Sequence, residues 1–516
     1  MKDSEWIECS KHIERDSENR PQLTNFFRLI ISLVFLFPNL TQFLFIDKNR
    51  FVLHLSRKSN YWEIRWLRQY FEFRMNDSLK SYLHQENWWW YFLKRIETNK
   101  SYLEPYILST FHQSLEKPKE RKSTGVFFTP INQIKVICHY ALFFFLKNRT
   151  KIEIDDKSIY QLVFQRKYPV NFQLKDNHQI ASVLSSIKIL DPSCGTGLFL
   201  TEINSLILSI ILANPIYVDI SPEERFRIIN KTFLRLYGYD IDSNSVKYAK
   251  LILLHQYMQM TQNGTFSEKE LNFFFNKLQI FETNFLSETN TSLNKFDIII
   301  GNPPYVRHHG LQATSIRGLK DNIKFLRDSF PDMKFKWDKK ADLYVYFWIK
   351  AVTQVVEKGV IIFVLSRAWL SSQYTNPLKQ IFVGYFHLDL VLEFPFEVWK
   401  GAEIRTHIVV GHRAYKDAKP DKTAIVVWKK SLESLLQFDM QKFTNKLELF
   451  SLSKNRSKLE IQAKETDSYR FTLISDSIPL MMNSRKFFPF LRLDYLTMSF
   501  YLLKLLIDKK DRFCLL

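Results

Sequence analysis

Residues 296–305 read FDIIIGNPPY, and no other stretch of this chain constrains its fold as tightly. After Asp297 the run FDIII carries no polar side chain, as expected for the central strand of a parallel sheet covered on both faces. Gly301 ends the strand. Pro303 and Pro304 then fix the backbone at the strand's carboxyl end, where open α/β sheets bind their ligands. Pro303 has no N–H, so the rigid bend can present a carbonyl and the Asn302 amide oxygen as paired acceptors. Paired acceptors suit an amino group that must lose its conjugation with a ring. Tyr305 offers a flat face beside them.

A second constellation precedes this one. Residues 187–200, IKILDPSCGTGLFL, read as a short strand, an acidic residue, a Gly-x-Gly turn and the start of an apolar helix. Gly195 and Gly197 permit a turn tight enough for a ligand to lie against backbone. Neither Gly-Lys-Ser/Thr nor the full G-x-G-x-x-G is present, so a phosphate-binding loop is not indicated. Asp191 stands at the strand end, where a carboxylate can meet a cationic ligand such as a sulfonium with its ammonium group. Residues 236–250, LYGYDIDSNSVKYAK, give a further strand ending at Asp240 and a helix that starts near Ser243. An acidic residue at that strand end is a usual device for holding ribose hydroxyls.

Together these residues resemble the amino-methylating DNA adenine methyltransferases, in particular the NPPY class of Type II and Type IIG restriction-modification enzymes. DPSCGTG is similar to the family's DP-x-CGTG loop, and NPPY to its catalytic tetrapeptide. STGVFFTP (123–130) resembles the upstream segment that closes over the methionine part of S-adenosyl-L-methionine. ADLYVYFWIKAV (341–352), GVIIFVLSRAWL (359–370) and EVWKGAEIRTHIVV (397–410) resemble later motifs, so the likeness runs over roughly residues 105–413. It implies a Rossmann-like, seven-stranded, mainly parallel α/β core that transfers a methyl group from S-adenosyl-L-methionine to the 6-amino group of adenine in double-stranded DNA.

The resemblance also implies roles. Asn302 and the Pro303 carbonyl would accept the two amino hydrogens, with Pro304 completing the bend. Orientation then supplies most of the acceleration. Tyr305 and Trp399 would stack on an adenine taken out of the duplex. Asp191, Pro192, Cys194, Gly195 and Gly197 would line the methionine end, Asp240 the ribose, and Phe199 or Phe285 the cofactor's adenine. Thr129 and Pro130 would finish the lid. One departure stands out: Asn284 replaces the acidic residue usual before Phe285. Its amide oxygen can still accept a hydrogen bond, without the charge assistance that roughly doubles the strength. No metal ligands are expected; His308 and His309 have no carboxylate at ligand spacing, and Cys194 has no histidine nearby in sequence to make it a nucleophile.

Composition agrees with a polyanionic partner. The 516 residues carry a formal charge of +20, although abundant Lys with few Gly also fits a simple compositional bias. Cys9, Cys138, Cys194 and Cys514 are scattered without C-x-x-C, which suggests a reduced, cytoplasmic, DNA-associated protein. The apolar stretch 26–46 is interrupted by Pro38, Asn39, Thr41 and Gln42, so it reads as a buried helix and not a membrane span or signal peptide. Adjacent Trp88, Trp89 and Trp90 point around a helix in different directions and favour core packing over base stacking.

The expected organisation is a helical N-terminal region over 1–104, the catalytic domain over 105–413, and a short target-recognition region over 414–516. That last region is small for a complete recognition domain, so a specificity or restriction subunit is an expected partner. The long basic segment 306–340 directly follows the catalytic tetrapeptide and is expected to touch DNA. EKPKERK (116–122) reads as a solvated linker; its Glu120-Arg121-Lys122 fits only the tail of a nuclease pattern. Three other readings stay open: a combined restriction-modification enzyme, a methyltransferase of RNA or protein glutamine, and a catalytically impaired DNA-binding relic.

Overall fold

Among the described residues of the computed structural model, ten strands follow one another along the chain. They are β1 (Ile189–Asp191), β2 (Leu236–Asp240), β3 (Gln279–Glu282), β4 (Phe296–Gly301), β5 (Val355–Ser366), β6 (Phe386–Glu393), β7 (Thr406–Arg413), β8 (Thr423–Trp428), β9 (Ile461–Glu465) and β10 (Tyr469–Ile474). The structure describes residues 22–98 with short omissions, 105–114, 129–148, 154–261, 266–287, 295–305, 341–375, 386–393, 406–414 and the last three strands, with a few isolated positions. Trp399, nearly all of 306–340, the linkers at 116–122 and 416–422, and the apolar C-terminal stretch lie outside the described residues. The chain divides into two compact units.

The first unit comprises Met1–Thr124, Cys194–Thr201 and Ser221–Glu282. Its strands β2 and β3 pair in parallel, with Tyr237 opposite Gln279 and Asp240 opposite Glu282. The N-terminal helices belong to this same unit. Helix Gln22–Leu36 is buried along most of its length; Phe26 meets Trp89 edge-on at 5.3 Å, and Phe35 stacks on His255 at 3.9 Å. Among the described residues no helix is long and apolar enough to cross a membrane. Trp89 is wholly buried, and its indole N–H donates to the Leu83 carbonyl at 3.2 Å. Local signals set the helix starts: Asn76 caps helix Asp77–Gln85, and Ser267 with Glu270 forms a capping box on helix Glu268–Lys277.

The second unit comprises Gly125–Ser193, Glu202–Ile220 and Thr283–Leu516. Here β1 and β4 run parallel, with Ile189 opposite Ile298, and β4 runs parallel to β5. Strand β7 is antiparallel to both β5 and β6. Every residue of β1 and β4 is buried, as the unbroken apolar run of β4 requires. Helix Ile131–Asn148 packs against β4, β5 and β7. Trp348 on helix Leu343–Gln354 is fully buried and meets Phe363 and Phe382 edge-on. The α/β class expected from the sequence is the one observed. Strands β1–β7 are the expected seven, and three more continue beyond β6: β8 pairs parallel to it, then β10 and β9 follow antiparallel.

A buried polar cluster ties β6 to β7. The register slips between Leu388 and Leu390, which leaves Asp389 as the extra residue of a bulge. Its two carboxylate oxygens lie 3.1 and 2.9 Å from His412 Nδ1, and His387 Nε2 is 3.7 Å away. Burial alone would raise the Asp389 pKa, but His412 and His387 outweigh it and hold the carboxyl below its ordinary value. The stabilisation is therefore present above about pH 4, the ordinary aspartate range, and is lost as pH falls through the lowered value. Asp389→Asn should lower stability by about 1.5–3 kcal/mol at pH 7, the range for hydrogen bonds to charged groups. Urea unfolding at pH 7 and pH 3 should show the gap between variant and parent narrowing in acid; an unchanged gap contradicts the assignment.

Candidate active site

In the first unit the Gly turn and the end of β2 are built on one carboxylate. The Gly195 N–H donates to Asp240 Oδ2 at 2.8 Å, and the Asp242 N–H donates to Oδ1 at 2.9 Å. The neighbouring Cys194 N–H donates to the Tyr239 carbonyl at 2.9 Å. Burial pushes the Asp240 pKa up, against the pull of these backbone donors. Gly195 and Gly197 take φ of +51° and +79°, left-handed values that L side chains disfavour. A Cβ on Gly195 would meet nothing within 4 Å. The turn is therefore bare on that side, with room for a ligand against the backbone.

Cys194 is buried, and a Cβ on Gly238 of β2 would stand 2.9 Å from its Sγ. The thiol fills the space that glycine leaves, which agrees with a packing role. Phe199, at the start of helix Leu198–Leu212, is also buried. Ile241, directly after Asp240, is 64% exposed. Ile241 is not among the positions that the motifs imply. Its signal was an apolar side chain immediately after an acid at a strand's carboxyl end, a place where a polar residue would otherwise be unremarked.

In the second unit Asn302 is held by both ends of its amide. Its Nδ2 donates to Thr129 Oγ1 at 3.1 Å, and Oδ1 accepts from the Tyr305 hydroxyl. That hydroxyl also lies 3.1 Å from the Val364 carbonyl oxygen on β5. Ser193 Oγ donates to the Asn302 carbonyl at 3.3 Å. Burial raises the Tyr305 pKa well above its ordinary value, so the group stays a neutral donor. Its ring is half-buried and meets Tyr344 edge-on at 6.2 Å. Pro130 stands at the head of helix Ile131–Asn148, its carbonyl accepting from Gln133 and Ile134.

Asp191 and Pro192 are buried at the end of β1. Asp191 Oδ1 accepts from the Ser193 N–H at 3.1 Å, and a Cβ on Gly301 would come within 2.7 Å of that oxygen. Gly301 therefore does more than end its strand: it makes room for a carboxylate. Asn284 turns its own Oδ1 to the Leu286 N–H at 2.9 Å. Phe285 is buried against Phe347 at 5.4 Å, and the buried Lys350 ammonium, 4.8 Å from its ring, donates to its carbonyl. Thus Thr129, Asn302 and Tyr305 come together in one network, and Cys194, Gly195 and Asp240 in another.

Residues 235–399 match the model of the Eco57I restriction-modification methylase family. The matched stretch includes NPPY and agrees with the resemblance drawn from it; DPSCGTG lies ahead of the match. Type II methyltransferase M.BstVI of Geobacillus stearothermophilus is 24% identical over 220 residues, covering 42% of this chain and 35% of that protein. M.PaeR7I of Pseudomonas aeruginosa is 25% identical over 99 residues, covering 19% and 15%. The matched stretches thus span about a third or less of these relatives' lengths. Among solved structures, the Type IIL restriction-modification enzyme MmeI in complex with DNA aligns with a TM-score of 0.50 and 14% identity. That alignment covers 83% of this chain and 58% of MmeI, and it supports the fold.

The two glycines that border these networks should respond differently to alanine. Gly195→Ala meets no neighbour and should lower stability by about 1–2 kcal/mol, the left-handed backbone strain alone. Gly301→Ala must displace the Asp191 carboxylate and should lower it by about 3 kcal/mol, the upper end of overpacking. Chemical denaturation of the two variants tests this; equal losses contradict the spacer role of Gly301.

Proposed function

We propose that the protein is a site-specific DNA methyltransferase that modifies the 6-amino group of adenine within a restriction-modification system. The observation that carries this reading is the doubly held Asn302 at the carboxyl end of β4. Thr129 and Tyr305 fix the plane of its amide, so Oδ1 is oriented before any substrate arrives. With the Pro303 carbonyl it accepts the two hydrogens of an exocyclic amino group and aims the nitrogen lone pair. Preorganised acceptors of this kind act without reorganisation during the reaction.

The residues fit S-adenosyl-L-methionine, which supplies an electrophilic methyl on a sulfonium when bound. The open face at Gly195 admits a ligand to the backbone. Beyond the backbone N–H groups around it, the Asp240 carboxylate has capacity to accept from a ribose hydroxyl. Asp191 offers a carboxylate to the ammonium end, Ile241 and Phe285 apolar surface to the adenine, and the Asn284 amide a polar contact. Double-stranded DNA is the partner. In this reading residues 1–104, 105–413 and 414–516 serve as helical region, catalytic domain and short recognition region. Trp399 and Tyr305 supply the stacking faces for the extruded base, and the setting is cytoplasmic and DNA-associated. A specificity or restriction subunit completes recognition where residues 414–516 do not.

With tritiated cofactor and plasmid DNA, Asn302→Ala should lower methyl transfer by at least about 100-fold, the scale for removing one preorganised group. Cofactor affinity should stay nearly unchanged. Tyr305→Phe keeps the ring and loses one hydrogen bond, so a loss of roughly fivefold is expected. Tyr305→Ala also loses the stacking face and should fall by about 10- to 100-fold. Single-molecule sequencing of the product should place the mark on adenine. Full methylation by Asn302→Ala, or a mark on another base, overturns the proposal.

A further inference from the structure

Helix Pro105–Ser114 carries three buried or half-buried polar residues on one face, Ser109, His112 and Gln113, at the i, i+3 and i+4 spacing that brings side chains together. Ser109 Oγ lies 2.6 Å from Thr196 Oγ1, within hydrogen-bond distance, and Gln113 Nε2 donates to Ser109 Oγ at 3.1 Å. Three residues on, His112 Nε2 is 3.0 Å from Ser245 Oγ and 3.6 Å from Asp242 Oδ2. Ser109, His112, Thr196 and Ser245 are all at most 5% exposed. The helix therefore touches both loops that meet at Asp240.

The contacts form a closed ring. From Ser109 the path runs to Thr196, to the adjacent Gly195, and through its N–H to Asp240. Asp240 accepts from Asp242, whose own carboxylate accepts from the Ser245 N–H at 2.7 Å. Ser245 and Asp242 return the path to His112 on the same helix. Thr196 is the one side chain between two glycines in left-handed conformations, so its hydroxyl is the handle by which the turn can be held. Burial lowers the His112 pKa, opposed by Asp242; the neutral ring keeps one nitrogen as donor and one as acceptor. His112 also stacks on Tyr248 at 4.7 Å, which fixes its plane.

We propose that Ser109 and His112 are positioning residues for the cofactor turn, acting through Thr196 and through the Asp242–Ser245 loop on Asp240. This rests on the reading of Gly195 and Asp240 as the cofactor site. Helix Pro105–Ser114 then sets cofactor affinity without touching the ligand. A helix that merely docks in the core would lower global stability and leave the two loops no more open than the rest.

The test uses the full chain with Ser109→Ala, His112→Phe and His112→Gln, and Ser185→Ala as a control of similar burial. Hydrogen exchange in the ligand-free proteins reads the ring directly. Both Ser109→Ala and His112→Phe should speed exchange in peptides covering 194–201 and 240–247 and leave β4 and β5 protected. Calorimetric titration with S-adenosyl-L-methionine should show affinity weakened roughly fivefold for each, the loss expected for one net hydrogen bond. Turnover at saturating cofactor should stay near the parent's, and His112→Gln should restore part of the affinity. Uniformly faster exchange, or affinity no different from the control, overturns the positioning role. If the parent chain binds no cofactor, the functional reading fails, while the exchange pattern still decides the ring.

Discussion

The Asp240 carboxylate takes a backbone N–H from each of two loops, Gly195 at 2.8 Å and Asp242 at 2.9 Å. Two roles meet in this group. It staples the glycine turn to the end of β2, and it presents its remaining lone pairs beyond the strand end. Burial disfavours its charge and raises its pKa, and the two N–H groups offset only part of that. A carboxylate with only one of these roles would leave either a floppy turn or a site without an acceptor. The two left-handed glycines contribute freedom and no side chain, so the turn is held by its backbone bonds and by Thr196.

The Asn-Pro-Pro-Tyr tetrapeptide follows the same logic in the other unit. The Asn302 amide is gripped at Nδ2 by Thr129 and at Oδ1 by Tyr305. The Tyr305 hydroxyl lies against both the Asn302 amide and the Val364 carbonyl, and Thr129 meets the amide at its other end, so the plane of the amide is held from two sides. A rigid proline bend positions the backbone, and two hydroxyls position the side chain. Ser193, one residue before the Cys194 that begins the turn's glycine run, donates to the Asn302 carbonyl.

Much of this was legible in the sequence. FDIIIG announced a buried central strand because an unbroken apolar run has few other uses, and β4 is buried at every position. The two glycines and Asp240 were legible because backbone conformation and strand-end acids are local properties. Partners distant in sequence were not. Thr129 and Asn302 stand 173 residues apart, and no periodicity connects them. Ser109 and His112 sit in an aromatic-rich segment where three polar residues look like an exposed helix face, yet two of them are buried. The three strands beyond β6 fall within 414–516, where the sequence indicated a short separate region and not a continuation of the sheet, because pairing partners are chosen by the whole sheet and not by the strand's own residues.

The close approach at Gly238 limits how this chain can diverge. The Cys194 sulfur occupies the volume beside it, 2.9 Å from where a methyl would begin. With Ile280 Cδ1 at 3.0 Å on another side, a larger residue at 238 needs room made at both 194 and 280, and the three positions must drift jointly. Gly301 and Asp191 are coupled in the same way, with a carboxylate in place of the thiol. Coordinated exchange at such sets of positions, in place of independent change at each one, is the pattern to look for in the descendants of a gene that encodes this sheet.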